Sequence, residues 1–484
     1  MKVHARFAIC PATLRALAVL AGIVCGGAPS SAAVKLPAIF SDHMVIQAGT
    51  EVPVWGLAEP GEEVTVSLAG QNRSETADAA GKWRVKLEAL EPSDEPQVMH
   101  VTGRNALAVS DVLVGEVWLA SGQSNMEMQL ARVDRAPEEQ AAANYPRMRM
   151  FIYDHPYNIY ELAVPPSRPQ ADGNGRWWVC TPENAARFSA LGYFFARDLQ
   201  RQLGTSVGII DAAVGGTPIE AWTSLAAQQA DLQLQDLLTG WRQTLSQFNP
   251  EQNLQAFNAA KKAWLNERSD ARRQGRPDPK APAAFKNLRV MEPGGLFNGV
   301  IAPLVPYAIR GVIWYQGERN AQGPTTGLYG EQLTTLIGDW RTRWGDDFYF
   351  AWVQLPNYQR PQREPSEPAG WGVAVRDGMR RALALPRTGM AVTIDLGGAT
   401  AGHPTNKADF ARRLSLLALH DVYRQPITIW CGPIFRSARR AGDKMVITLD
   451  HASGLKAAPA AGANNSPGEL RGFAIAGSDR KFVW

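Results

Sequence analysis

The sequence predicts an α/β fold: a mainly parallel sheet with helices on both faces, preceded by a small all-β module and followed by a short β segment. Three observations carry this. From residue 111 onward, apolar runs of strand length alternate with segments of helical period, the rhythm of βαβ units. Before residue 111, short runs alternate apolar and polar residues between turn signals. After residue 427 the pattern turns β-like again and stops at Trp484 without a closing turn.

The N-terminus reads as a secretory leader. Lys2, His4 and Arg6 precede an apolar stretch at 17–25 and then Ser30, Ser31, Ala32 and Ala33, which predicts cleavage after Ala33 or one residue earlier. The expected destination is the periplasm or the exterior. The stretch is too short to span a membrane, and no later segment approaches about eighteen apolar residues. Removing residues 1–33 takes away Lys2, Arg6 and Arg15 and no acid, so the net charge falls from +4 to +1. A near-neutral protein has no electrostatic case for nucleic acid or an anionic membrane. Cys10 and Cys25 leave with the leader. Cys180 and Cys431 remain, either bridged or as two separate thiols. There is no CxxC or HExxH pattern, and the histidines are scattered singly, so neither a metal nor another cofactor is expected. The 15 tryptophans exceed what a core of this size needs, and exposed ones are candidates for stacking on sugar rings.

Residues 34–110 form the β module. Strand-like runs at 52–56, 63–67 and 82–87 are separated by turn signals at 59–61, 79–81 and 102–105, a sandwich of the immunoglobulin or fibronectin kind. Residues 111–426 form the α/β domain. Strands are expected at 112–120, 207–213, 311–315, 348–354 and 391–395, with helices at 191–203, 328–344 and 407–423. A polar, helix-prone insertion covers 225–285. Residues 427–484 are the C-terminal β segment, whose last unit reads as incomplete.

Chemistry enters at GQSNM, residues 122–126, directly after the apolar run 112–120. A serine where a strand turns toward a helix projects its hydroxyl while nearby backbone N–H groups remain free to hold an oxyanion. Ser124 is the candidate nucleophile and needs a base, since a hydroxyl at its free pKa attacks poorly. His403, in GHPTNK at 402–407, lies past the last strand and before a helix, where ligands bind in open α/β sheets. His43 and His100 fall in the β module, His420 lies inside a helix, and His155 and His451 have no suitable setting. Oxyanion donors are offered by the glycines of AVGGTPIEAW at 213–222 and by Asn320 in WYQGERNA at 314–321.

Serine, glycine, asparagine and histidine in four ordered blocks resemble the SGNH hydrolase superfamily. GEVWLASGQSNMEM, VGGTPIEAW, WYQGERNA and GHPTNK are similar to its sialate O-acetylesterase branch, as are FSDHMVIQ at 40–47 and LFNGVIAPL at 296–304. The resemblance runs from about Leu36 to Pro433. It implies removal of acetyl groups from O-acetylated sugars through an acyl-serine, without a metal. By that match Ser124 is the nucleophile and His403 the base. The Ser124 N–H, Gly216 and Asn320 form the oxyanion hole. Gln123, Gln316 and Arg319 are candidates to meet substrate, with Arg319 either meeting an anionic group or blocking the pocket.

Three departures from the family pattern stand out. An aspartate shortly before the histidine is expected, yet none of the seven residues before His403 is acidic. Asp395, Glu318 or a backbone carbonyl is left to orient the imidazole. The usual QGESN reads QGERN, placing Arg319 beside Asn320. Members of the family also extend further beyond the last β segment. Two functional readings follow: an O-acetylesterase, or a catalytically impaired relative that binds glycans. Within the first, sialic acid and acetylated xylan both remain open, with Arg319 or Arg376 available to a carboxylate.

Overall fold

The computed structural model describes residues 33–154, 157, 159–160, 163, 165–360, 362–365, 370–456 and 473–484. The expected leader, Ala33 apart, lies outside them. Seven strands open the chain: β1 (Val45–Gln47), β2 (Val52–Leu57), β3 (Glu63–Leu68), β4 (Gln71–Thr76), β5 (Lys82–Leu87), β6 (Ser93–Thr102) and β7 (Ala106–Gly122). β2 pairs with β5, while β4, β3, β6 and β7 follow one another in antiparallel order and β1 runs parallel to β7. The alternation seen in sequence is the burial pattern. Val64, Val66, Trp83 and Val85 point into the module core while Glu63, Arg84 and Lys86 face water.

β7 does not stop at the module boundary. Its first half pairs with β6, and its second half is the central strand of the α/β domain. The boundary expected between residues 110 and 111 therefore falls inside one strand. Asp111 takes a positive φ of 55°, and Arg149 Nη2 and His43 Nδ1 bond its carboxylate. That local twist changes the sequence rhythm without breaking the strand. Across the junction, Tyr307 packs on Phe40 and Trp55 and donates to the Val45 carbonyl at 2.7 Å, fixing the β module to the α/β domain.

The remaining sheet strands are β8 (Tyr145–Tyr153), β9 (Gly175–Cys180), β10 (Val207–Ala213), β11 (Gly311–Tyr315), β12 (Tyr349–Val353) and β13 (Thr388–Ala391). Their order is β13-β12-β11-β7-β10-β8-β9, parallel throughout except for the β8–β9 pair. Neighbouring residues of β11 face opposite layers. Trp314 meets Trp340 of the helix Tyr329–Trp344, and Tyr315 stacks on Phe410 of the helix Lys407–Asp421. Both sheet faces are thus covered, as a strand buried on both sides requires.

The 225–285 region contains the helices Leu225–Ala230, Gln235–Ser246 and Pro250–Arg273, the last almost entirely exposed. An exposed hairpin, β14 (Ile434–Ala441) with β15 (Lys444–Asp450), follows the domain. Cys180 is buried, Cys431 is half-buried, and both are free thiols. Among the described residues, no helix is long and apolar enough to cross a membrane.

Candidate active site

Three strands end in register. Ala213 of β10 and Tyr315 of β11 both stand beside Gly122 of β7. The segments following them, 123–124, 214–217 and 316–320, consequently emerge side by side at the carboxyl edge of the sheet. Only glycine fits at 122: its φ is +140°, and a Cβ there would lie 2.2 Å from the Tyr315 carbonyl oxygen. The Gln123 N–H then donates to that oxygen and the Val214 N–H to the Gly122 carbonyl, locking the three loops together.

Ser124 opens the short helix Ser124–Glu127, and its Oγ lies 2.8 Å from His403 Nε2. His403 comes from the loop after β13, bracketed by the helix Lys407–Asp421. Partial burial, and then the positive charges of Lys407 and Arg132, hold the imidazole below its ordinary pKa of 6.5. It is therefore neutral at pH 7 and able to accept a proton.

Donors converge opposite this pair. Neither the Ser124 N–H nor the Gly216 N–H has a protein acceptor among the described residues. Gly216 has φ +75°, and a Cβ there would sit 2.4 Å from Ile159 Cδ1, so the loop accepts no side chain at that point. Asn320 Nδ2 donates one hydrogen to Glu220 Oε2 at 2.9 Å, which sets the orientation of the amide and leaves its second hydrogen uncommitted. Asn320 Oδ1 accepts from Gln316 Nε2 and the Ile219 N–H.

The other expected site residues are placed differently. Gln316 is fully buried, its amide spent on Gln123, Thr217 and Asn320 and its oxygen on Tyr329. Gln123 Oε1 accepts from Gln316 and from the Arg319 N–H. Gln316 is thus scaffold within the site, whereas Gln123 commits its oxygen and keeps its Nε2 amide without a protein acceptor among the described residues. Asp395 does not reach His403, because Arg413 holds its carboxylate through Nη1 and Nη2 at 2.6 and 2.7 Å. Glu318 is engaged elsewhere too, accepting from Asn125 Nδ2 at 2.5 Å. Among the described residues no carboxylate bonds His403, so serine and histidine stand as a dyad. The Arg319 guanidinium, half-buried beside Asn320, has no ion pair or hydrogen bond among the described residues.

Two residues inside the quoted motifs carry more than the sequence disclosed. Asn125 is 1% exposed and bridges both halves of the dyad: Nδ2 donates to Glu318 Oε1 and to the carbonyl of Gly402, while Oδ1 accepts from Lys407 Nζ at 2.6 Å. Lys407 is wholly buried, lies 5.2 Å from the rings of Tyr315 and Phe410, and is pushed down to about 7 by burial, with Glu318 opposing. Burial raises Glu318, which Asn125 and Lys407 counter. The cue lay in the SNM and PTNK contexts. What it lacked was the long-range contact that turns an asparagine and a lysine into a buried bridge.

Residues 114–256 match the family model described as carbohydrate esterase, sialic acid-specific acetylesterase. A crystal structure of a carbohydrate acetylesterase from Xanthomonas citri superposes with a TM-score of 0.71 and 33% identity, covering 93% of this chain and 88% of that one. The chain belongs to the sialate O-acetylesterase family. Sialate O-acetylesterases of Mus musculus and Homo sapiens are 28% identical over 436 residues and 26% over 456. Those alignments cover 83% and 86% of this chain and 75% and 76% of the relatives. The protein is accordingly an esterase acting on acetylated carbohydrate. Among the described residues no group of three or more histidines, cysteines or acids is placed to hold a metal ion.

Proposed function

We propose that this esterase is exported and removes acetyl groups from O-acetylated sialic acid through an acyl-serine intermediate. The observation that carries the reading is the 2.8 Å contact between Ser124 Oγ and His403 Nε2, set among uncommitted backbone donors. His403 Nε2 takes the hydroxyl proton as Ser124 Oγ attacks the acetyl carbonyl. The developing oxyanion is held by the N–H groups of Ser124 and Gly216 and by the second amide hydrogen of Asn320. Losing one such donor typically costs about a hundredfold or more in rate. Collapse of the tetrahedral intermediate passes the proton from His403 to the departing sugar oxygen. Water then repeats the sequence on the acyl-serine, with the same imidazole as base, and acetate leaves.

Sialic acid is favoured over acetylated xylan by charge. Among the described residues Arg319 flanks the oxyanion asparagine without a partner, and Arg376 is half-buried with only the Pro356 carbonyl in hydrogen-bond contact, at 3.4 Å. Burial lowers Arg376, and no acid offsets it. A sugar carboxylate would satisfy either guanidinium. Export rests on the leader-like residues 1–33.

Acetate release from O-acetylated N-acetylneuraminic acid and from acetylated xylo-oligosaccharide, followed against pH, tests this reading. Release is expected from the sialic acid first. Because the base must be unprotonated and its pKa lies below 6.5, kcat/KM should rise with pH on a limb centred below 6.5 and be level at neutrality. A limb centred above about pH 7 would remove His403 as the base. No release from either sugar by folded protein would favour glycan binding without catalysis.

A further inference from the structure

The site needs somewhere to hold the sugar, and among the described residues the two flanks of the carboxyl edge differ. Toward β10, Ile159 is buried against Gly216 and closes the space. Toward β12 there is a cleft of about 260 Å³ between the segment Ala321 to Thr326, which continues the Asn320 loop, and the segment from Gly370 to Val375. Trp371 lines it, half-buried. The cleft is tied to the reacting groups through both walls. Val375 and Leu355 pack on Gly317, where a Cβ would meet them at 3.1 and 3.2 Å, so the wall carrying Trp371 rests on the loop that presents Asn320. On the other side Trp371 meets Tyr358 edge to face, with ring centroids 5.0 Å apart. The Tyr358 ring lies 3.9 Å from where a Cβ on Gly402, the residue before His403, would stand.

We propose that this cleft is the sugar-ring subsite of the esterase and that Trp371 is its stacking platform. The inference rests on the acyl-serine reading for the position of the acetyl group and adds where the pyranose lies. An indole offers a flat apolar face to the C–H face of a sugar ring, and the small residues Ala321, Gly323 and Gly370 leave room above it. With the acetyl carbonyl at Ser124 and its oxygen toward Gly216, the leaving oxygen departs on the side of His403. The ring attached to it then points toward Tyr358 and Trp371.

Trp371→Ala and Trp371→Phe test the assignment with two substrates. For O-acetylated N-acetylneuraminic acid, Trp371→Ala should raise KM and lower kcat/KM about tenfold, which is ~1.4 kcal/mol. Hydrolysis of a small aryl acetate, which has no ring to stack there, should fall much less, and Trp371→Phe should restore most of the sugar activity. An equal loss on both substrates would show that Trp371 only supports the His403 loop, and no loss on either would show that the ring lies elsewhere. Both results overturn the proposal. Binding of the same sugar to the Ser124→Ala protein, measured by calorimetry, separates this from the catalytic reading. A tenfold weaker affinity on adding Trp371→Ala supports the subsite even if turnover is absent, and an unchanged affinity refutes it.

Discussion

Ser124→Ala should abolish acetate release, by ~10³-fold or more in kcat, while leaving the thermal unfolding midpoint nearly unchanged. Among the described residues Ser124 Oγ bonds only His403 Nε2, so its removal strips no buried group of its partner. His403→Ala should cost a similar factor. Because the two act as one unit, the double variant should be no slower than the slower single variant. A Ser124→Ala protein that keeps more than about a tenth of the activity would dismiss Ser124 as the nucleophile. An aryl acetate and an acetylated sugar should lose activity together, since both need the same attacking oxygen.

Asn125→Ala is expected to damage stability and rate together, and for one reason. The side chain satisfies Glu318, Lys407 and the Gly402 carbonyl at once. Truncation leaves Lys407 Nζ in the core and Glu318 beside it with its hydrogen bond gone; Glu318 Oε2 is already buried without a partner among the described residues. Leaving a buried polar group without its hydrogen-bond partner costs about 1–3 kcal/mol. The freed Gly402 carbonyl also releases the residue before His403, and misplacing a catalytic group by about 1 Å can cost up to a hundredfold in rate. The predicted signature is therefore a lower unfolding midpoint with kcat reduced about ten- to a hundredfold and KM little changed. Asn125→Asp, which keeps the acceptor for Lys407 but sets a carboxylate against Glu318, should also lose kcat. Wild-type stability and kcat in Asn125→Ala would refute the bridging role.

Much of this arrangement was legible in the sequence because its parts are local. GQSNM, VGGTP and QGERN each follow an apolar run of strand length, GHPTN lies on the loop past the last strand, and β7, β10 and β11 end in register, so motifs far apart in sequence meet at one edge. β10 and β11 coincide with the expected 207–213 and 311–315. What the sequence withheld depends on partners far along the chain. β8 and β9 carry Arg149 and Arg176 among their apolar residues and gave no strand signal, yet Asp111 bonds the first and the indole of Trp178 lies under the second. β13 begins at Thr388 rather than at 391, because Val392 and Ile394, apolar in sequence, are exposed in the loop beyond it. Asp395 follows on that loop and is captured by Arg413 of the helix Lys407–Asp421, a pairing that spacing alone does not announce. Lys407 looks like a solvated helix-start cation, though a cation there opposes the helix dipole. Its burial under two aromatic rings appears only once β11 and that helix are packed together.

Passage of acetyl through Ser124 leaves a covalent trace during turnover. Rapid acid quenching of the enzyme during turnover of an acetyl ester, then mass analysis of the peptide containing Ser124, tests it most directly. An acetylated fraction of that peptide is expected, absent in Ser124→Ala and enriched in His403→Ala if deacylation slows more than acylation. Steady acetate release with no acetyl on Ser124, or with acetyl on another residue, would contradict it.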